Sequence, residues 1–174
     1  MFKVVENELE LVMFNGIWTT VWAEKGYELE YSKQFLERYV VITEEGRYVG
    51  TAEIKPFSRE SNINEVCDFQ DHPLIANGSG AVAEIDKLAV LSSHRGPYVA
   101  ELLSAAVQFA EFHRLNCFVA LLEPMLIRAL RISYHVPVER LADRILYKGG
   151  DVIPAIVHAE EVYTHRSRYS WLIS

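Results

Sequence analysis

Apolar residues recur along this chain with two periods, and the switches between them divide it into elements. Leu9, Val12, Met13, Ile17, Val21 and Trp22 stand at helical spacing. They predict a helix opened by Glu6 or Asn7 and closed by Lys25-Gly26, weakened but not forbidden by Gly16. A brief apolar run over 2–5 predicts a short strand before it. Residues 27–37 are a polar and aromatic connection, with a short helix expected near 33–38. The run 39–43 is β-branched and predicts a strand; Glu44-Glu45-Gly46-Arg47 is a turn, and 48–54 is the return strand of a hairpin ended by Lys55-Pro56. Residues 58–80 carry Asn62, Asn64, Pro73, Asn77, Gly78 and Gly80 with little periodicity. A loop of that length inside a compact domain is commonly functional.

The pattern then sharpens. Lys87-Leu88-Ala89-Val90-Leu91 is short, apolar and β-compatible, and Ser92-Ser93-His94 breaks it. Gly96 stands at a helix N-cap with Pro97 at the first helical position, where a missing N–H costs nothing. Val99, Leu102, Leu103, Ala106, Val107 and Ala110 follow as one helical stripe. Residues 117–122 predict another strand, and Glu123-Pro124 starts a helix running to about Tyr134. Residues 140–147 and 152–163 read as two closing strands around Lys148-Gly149-Gly150-Asp151, and 164–174 as an edge strand or a docked tail. A hairpin first and a β–α–β crossover second make one mixed sheet with helices on its faces.

A chain of 174 residues, half of them hydrophobic, fits a single domain over 1–174 with a sizeable core. No apolar run is long enough to span a bilayer, and Glu6, Glu8 and Glu10 make the beginning unlike a signal peptide. A cytoplasmic setting is expected, with Cys67 and Cys117 both reduced. The net charge of −7 argues against a nucleic-acid surface. Cys67, Asp68, Asp71 and His72 match no zinc spacing, and no metal is expected.

The stretch 82–103, read from Ala81 onward as a buried strand, a tight basic turn and the start of a helix, changes the picture most. A strand that feeds a helix through a tight turn aims backbone N–H groups and the positive helix end at one point, an anion site. Gly96, Tyr98, Val99 and Ala100 supply the amides, and Arg95 adds a charge suited to phosphate. The local pattern fits an ordinary strand–turn–helix with a surface arginine equally well.

The order of elements resembles the GNAT acyltransferase superfamily, whose phosphate turn reads V-x4-[RQ]-G-x-G-x-[GA]-x-x-L. Val90, Arg95, Gly96, Ala100 and Leu103 match, and Tyr98 replaces a glycine. The resemblance implies an α/β fold with a mixed, mostly antiparallel sheet flanked by helices. It also implies acyl-CoA as co-substrate, with the pyrophosphate on the turn and the pantetheine along Leu88 to Val90. A narrower likeness is to acyl-homoserine-lactone and N-acyl amino acid synthases. Tyr48-Val49-Gly50-Thr51-Ala52-Glu53-Ile54-Lys55-Pro56 is similar to V-x-G-T-x-R-L-x-P, and Glu84-Ile85-Asp86-Lys87-Leu88-Ala89-Val90 to E-I-S-R-F-x-V. Pro124-Met125, Gly150-Asp151-Val152-Ile153-Pro154 and the long loop 58–80 are similar to later parts of the same pattern. Glu53 and Lys87 stand where that pattern has arginines.

Acyl transfer to an amine needs an anchored thioester, a base and donors for an oxyanion. Glu84 and Asp86, two residues apart on a strand, share one face and are the candidate bases, Glu84 first. Ion pairing of both acids with Lys55 or Lys87 explains them equally well. The superfamily's acid is a tyrosine on the helix after the fifth strand; Ser133 occupies that position and Tyr134 follows it. Trp18 and Trp22 are either core or cleft wall. Arg128, Arg131, Arg140, Arg144 and Lys148 make a late basic region, suited to a 3′-phosphate or an acidic carrier protein, or else paired with Glu139 and Asp143. The implied function is an N-acyltransferase from acyl-CoA to a small-molecule amine. The alternatives are a non-catalytic acyl-CoA sensor and an enzyme dependent on acyl carrier protein. No nucleic acid or membrane partner is expected, and a homodimer is admitted.

Overall fold

The computed structural model describes residues 1–77 and 81–174. Strands β1 (Phe2–Val4), β2 (Glu37–Ile42), β3 (Tyr48–Pro56), β4 (Ala81–Val90), β5 (Leu115–Leu122), β6 (Val138–Arg140), β7 (Ile145–Tyr147) and β8 (Gly150–Val157) alternate with five helices. These are α1 (Glu8–Glu24), α2 (Pro73–Ala76), α3 (Pro97–Phe112), α4 (Pro124–Ile132) and α5 (Ala159–Thr164). The sheet runs β1-β2-β3-β4-β5-β8-β6, and β7 also pairs with β8. Among the described strand pairs only β4 and β5 are parallel, because α3 carries the chain back between them. This is the mixed, mostly antiparallel α/β sheet expected.

Helix α1 begins where Asn7 accepts a hydrogen bond from the Glu10 N–H at 2.9 Å, while Glu10 reaches back to the Glu6 N–H at 2.7 Å and pairs with Lys3. Phe14, Ile17, Trp18 and Val21, at i, i+3, i+4 and i+7, bury against β2 to β4. Gly26, at φ +83, ends the helix as expected. Helices α3, α4 and α5 cover the other face. The late part of the loop, Gly78 and Gly80 included, lies outside the described residues. Over 58–77 it forms two 3-10 turns and α2, and inserts Ile63, Phe69 and Ile75 against Cys117, Val119 and Ile156. Among the described residues no helix is long and apolar enough to cross a membrane.

Strand β4 begins at Ala81, as the sequence predicts, and Glu84 and Asp86 share one face with Lys55. Three expectations are corrected. No helix forms over 33–38: Arg38 joins β2 and gives its guanidinium to Glu53 and the Phe35 ring. The strand expected over 140–147 splits into β6 and β7. Strand β8 ends at Val157, and Glu160 and Glu161 sit in the first turn of α5, where carboxylates favour a helix. The last residues are the docked tail. Tyr169 is buried, the Trp171 indole N–H donates to the Tyr134 carbonyl at 2.7 Å, and the Ile173 N–H donates to Ser104 Oγ at 2.9 Å.

Candidate active site

Strands β4 and β5 pair only at their beginnings, from Ala81↔Leu115 to Glu84↔Val119. Beyond Glu84, β4 keeps only β3 beside it and β5 only β8, so the two strands splay apart. Backbone groups on the inner edge of β4 are left without a ladder partner, and buried backbone polar groups require one. An extended arm laid in the splay would supply it.

Within this segment β4 bulges. Glu53 pairs with Asp86 and Thr51 with Ala89, so β4 spends one more residue than β3. Lys87 takes up the bulge at φ +52, a conformation costing about 1 kcal/mol or more outside glycine. Two bonds hold it there: Thr51 Oγ1 donates to the Lys87 carbonyl at 2.8 Å, and the Lys87 N–H donates to Asp86 Oδ1 at 2.8 Å.

At the head of the splay, β4 runs through a 3-10 turn (Ser92–His94) to Gly96, at φ +117, and into α3. Arg95 is exposed and has no carboxylate within ion-pair distance among the described residues. The Tyr98 ring lies 5.9 Å from that of His94. The Val99 N–H donates to the Gly96 carbonyl at 3.1 Å, which leaves the amides of Gly96, Tyr98 and Ala100 for a ligand. The Tyr134 hydroxyl donates to the same carbonyl at 3.1 Å. Tyr134 is therefore brought to the turn, and burial pushes its phenol up.

At the foot of the splay, on the α1 side, lies a row of alternating charges. Lys55 Nζ is 2.9 Å from Glu84 and 3.4 Å from Asp86. Lys87 Nζ is 3.2 Å from Asp86 and 3.2 Å from Glu53, and Arg38 Nε is 2.8 Å from Glu53. Ser32 Oγ accepts from Lys87 at 2.7 Å and donates to Glu53. The two acids expected on one face are there, bridged by one lysine. Burial raises the Glu84 carboxyl above its ordinary value, against the pull of Lys55. Burial also acts on Asp86, but Lys87 and Lys55 outweigh it and hold that carboxyl low. Neighbouring strand residues thus acquire opposite proton affinities. Burial, then the Asp86 charge, raises the Tyr147 phenol of β7, which faces the row from the far side.

Trp18 and Trp22 wall this end, with Lys87 Nζ 4.9 Å and 5.5 Å from their ring centres. Tyr31 packs on Trp18 and Tyr27 on Trp22. On the opposite face, behind Leu88, is an apolar cavity of about 30 Å³. Ile85 and Leu88 of β4, Phe118 and Leu122 of β5, and residues of α3 to α5 line it, with Trp171 from the tail.

The expected residues thus follow one line. Arg95, Gly96, Tyr98 and Ala100 lie at the head, Val90 and Leu88 along the splay, and Asp86 and Glu84 at the foot. Glu53, Arg38, Tyr147 and Trp171 were not singled out for chemistry in the sequence. Only Glu53 carried a signal, a charge between the buried neighbours Ala52 and Ile54. The late basic residues are not paired as expected. Glu139 takes His72 and His158 as partners, and among the described residues Arg128 and Arg131 lie within ion-pair distance of no carboxylate. Burial pushes the Cys117 thiol up to about 11, unsuited to a nucleophile.

A comparison with family patterns matches residues 8–130 to the acetyltransferase (GNAT) family. The chain belongs to that family. The GNAT assignment makes it an acyltransferase. Among solved structures, an N-acyl amino acid synthase, FeeM, from uncultured soil microbes has a TM-score of 0.74 at 12% identity, covering 94% of this chain and 93% of that one. The acyl-homoserine-lactone synthase LasI gives 0.65 at 14%, covering 91% and 89%. The CoA-dependent acyl-homoserine-lactone synthase MesI gives 0.63 at 15%, covering 100% and 96%. At these identities the likeness is one of fold. No curated protein matches the sequence significantly.

Proposed function

We propose that this GNAT protein transfers an acyl group from acyl-CoA to a small-molecule amine. The observation that carries the reading is the splay itself, with a cationic amide turn at its head, an acid row at its foot and an apolar cavity behind Leu88. In this reading Arg95 and the amides of Gly96, Tyr98 and Ala100 hold the pyrophosphate, and the edge of β4 from Leu88 to Val90 pairs with pantetheine. The acyl tail enters the cavity, and the amine approaches from the Trp22 and Tyr147 side. Glu84 takes a proton from the ammonium, directly or through one water. The freed amine attacks the thioester carbon; the C–N bond forms, the C–S bond breaks, and the coenzyme leaves as thiolate, which takes up a proton. Tyr134 supplies that proton only by giving up its bond to Gly96, so its first role is to hold the turn. Asp86 stays ionised and positions Lys55 and Lys87.

The exposed Arg95, Arg128 and Arg131 support a polyanionic donor. Acyl-CoA is preferred to acyl carrier protein because the turn and splay suffice to hold it. A second reading, acyl-CoA binding without turnover, is favoured by two observations: both acids are paired with Lys55, and Tyr134 is paired with Gly96. The two are separated by measuring free-thiol release with acyl-CoAs of increasing length and a panel of amines. Thiol release dependent on an amine supports transfer. Thermal stabilisation by CoA without thiol release supports the sensor, and neither response rejects both.

A further inference from the structure

We propose that Trp171, on the C-terminal tail, sets the longest acyl chain the cavity accepts. This rests on the reading of the cavity as the acyl site.

Ile85 and Leu88 belong to the strand that borders the splay, whereas Trp171 comes from a tail docked over α3 and α5. The indole is only partly buried while it lines the cavity, so it separates that space from solvent. It is held from several directions. Its N–H donates to the Tyr134 carbonyl at 2.7 Å, and the Tyr134 and Tyr169 rings meet it edge-on at 5.9 and 5.8 Å. The next turn of the tail is pinned by Ile173 to the buried Ser104. A wall so fixed does not swing aside. The room it leaves is small, about 30 Å³, so only a short chain fits behind the indole. Shortening Trp171 joins the cavity to the outside and lets a longer tail run through. The tail stays anchored, because Tyr169 remains packed with Val107 and Val162 and Ile173 keeps its bond to Ser104.

The test is the affinity of CoA and of a butanoyl-to-dodecanoyl-CoA series for wild type, W171A and W171F, read by calorimetry so that turnover is not required. In wild type, affinity should rise with the first carbons and then fall. In W171A the preference for dodecanoyl over butanoyl should increase by about tenfold or more, the equivalent of two further buried methylenes. W171F keeps most of the bulk but loses the N–H, and should shift that preference by less than about threefold. If W171A does not fold by circular dichroism, W171L takes its place. A length profile in W171A within about twofold of wild type overturns the inference, as does a W171F shift as large as that of W171A. CoA binding with no length dependence in wild type also overturns it but spares the coenzyme site. Failure of CoA itself to bind overturns the underlying reading.

Discussion

Lys87 Nζ lies 3.2 Å from Glu53 Oε1, an ion pair between two residues that are 3% and 0% exposed. These are the two positions at which the synthase-like pattern has arginines, and they face each other across β3 and β4. A carboxylate at 53 would be untenable in the interior without a cation opposite. Arg38 and Ser32 complete its shell.

Removing Lys87 strands that carboxylate. Lys87→Met should cost about 3–5 kcal/mol, towards the lower end because Arg38 remains. Glu53→Gln with Lys87→Met together should cost less than the sum of the two single changes. Urea unfolding of the four proteins measures the coupling. Additive costs would mean that the pair contributes nothing beyond its separate contacts.

Glu84 and Asp86 respond to pH in opposite senses. Folding raises the Glu84 pKa, chiefly by burial, so the folded chain holds this proton more tightly than the unfolded one. Its contribution to stability is present below the ordinary value of 4.5 and lost as pH rises through the folded value. Asp86 is held below 3.8, so its contribution is present above that value and lost as pH falls through the folded pKa. Glu84→Gln should therefore gain stability relative to wild type as pH rises from about 4 to 7. If Glu84 is the base, kcat/KM rises with pH through a value above the usual carboxylate range, and the variant loses about 10²-fold or more together with that limb. An E84Q enzyme that keeps the rising limb would sink the base assignment.

Most of the framework was legible because it rests on local signals. Asn7, Gly26, the Gly46 turn and the Gly96-Pro97 step each fix an element boundary through backbone chemistry that short sequence spans carry. The charge row was half legible. Glu84 and Asp86 share a face by strand periodicity alone, but the bulge at Lys87 depends on the β3–β4 register, which no local pattern shows. Trp171 was invisible as a cavity wall, because tail docking is decided by the groove that α3 and α5 leave open. The loop 58–77 read as structureless for a related reason: Ile63, Phe69 and Ile75 are spaced too irregularly for one helix, yet all three turn to one sheet face.

The tie from Tyr134 to Gly96 separates two roles for that tyrosine. As a positioning residue it stiffens the turn, so Tyr134→Phe should raise the KM for acyl-CoA about three- to tenfold, the worth of one hydrogen bond, with kcat unchanged. As the acid it should lower kcat and remove the high-pH limb with KM unmoved. Steady-state kinetics across pH decides between them, and the 3.1 Å bond to the carbonyl favours the first outcome.

The proposed acceptor side is closed by a crossing of two chain segments. The α1–β2 connection passes directly over the β7–β8 turn: the Tyr27 hydroxyl donates to the Asp151 carbonyl at 2.6 Å, and the Glu28 N–H donates to the Lys148 carbonyl at 2.8 Å. The approach requires glycines. At Gly149, already at φ +88, a Cβ would lie 2.5 Å from the Gly26 carbonyl oxygen, and at Gly150 it would run into the Tyr27 ring. Tyr27 in turn packs on Trp22, whose ring lies beside Lys87. Gly150→Ala should therefore push Tyr27 outward, costing about 1–3 kcal/mol, and disturb the aromatic wall next to the acid row. The KM for the amine should rise while that for acyl-CoA stays near wild type, because the turn at Gly96 is held separately by Tyr134. Measuring both KM values and the urea midpoint tests this. Equal rises in both would mean that the crossing supports the whole splay rather than its acceptor end.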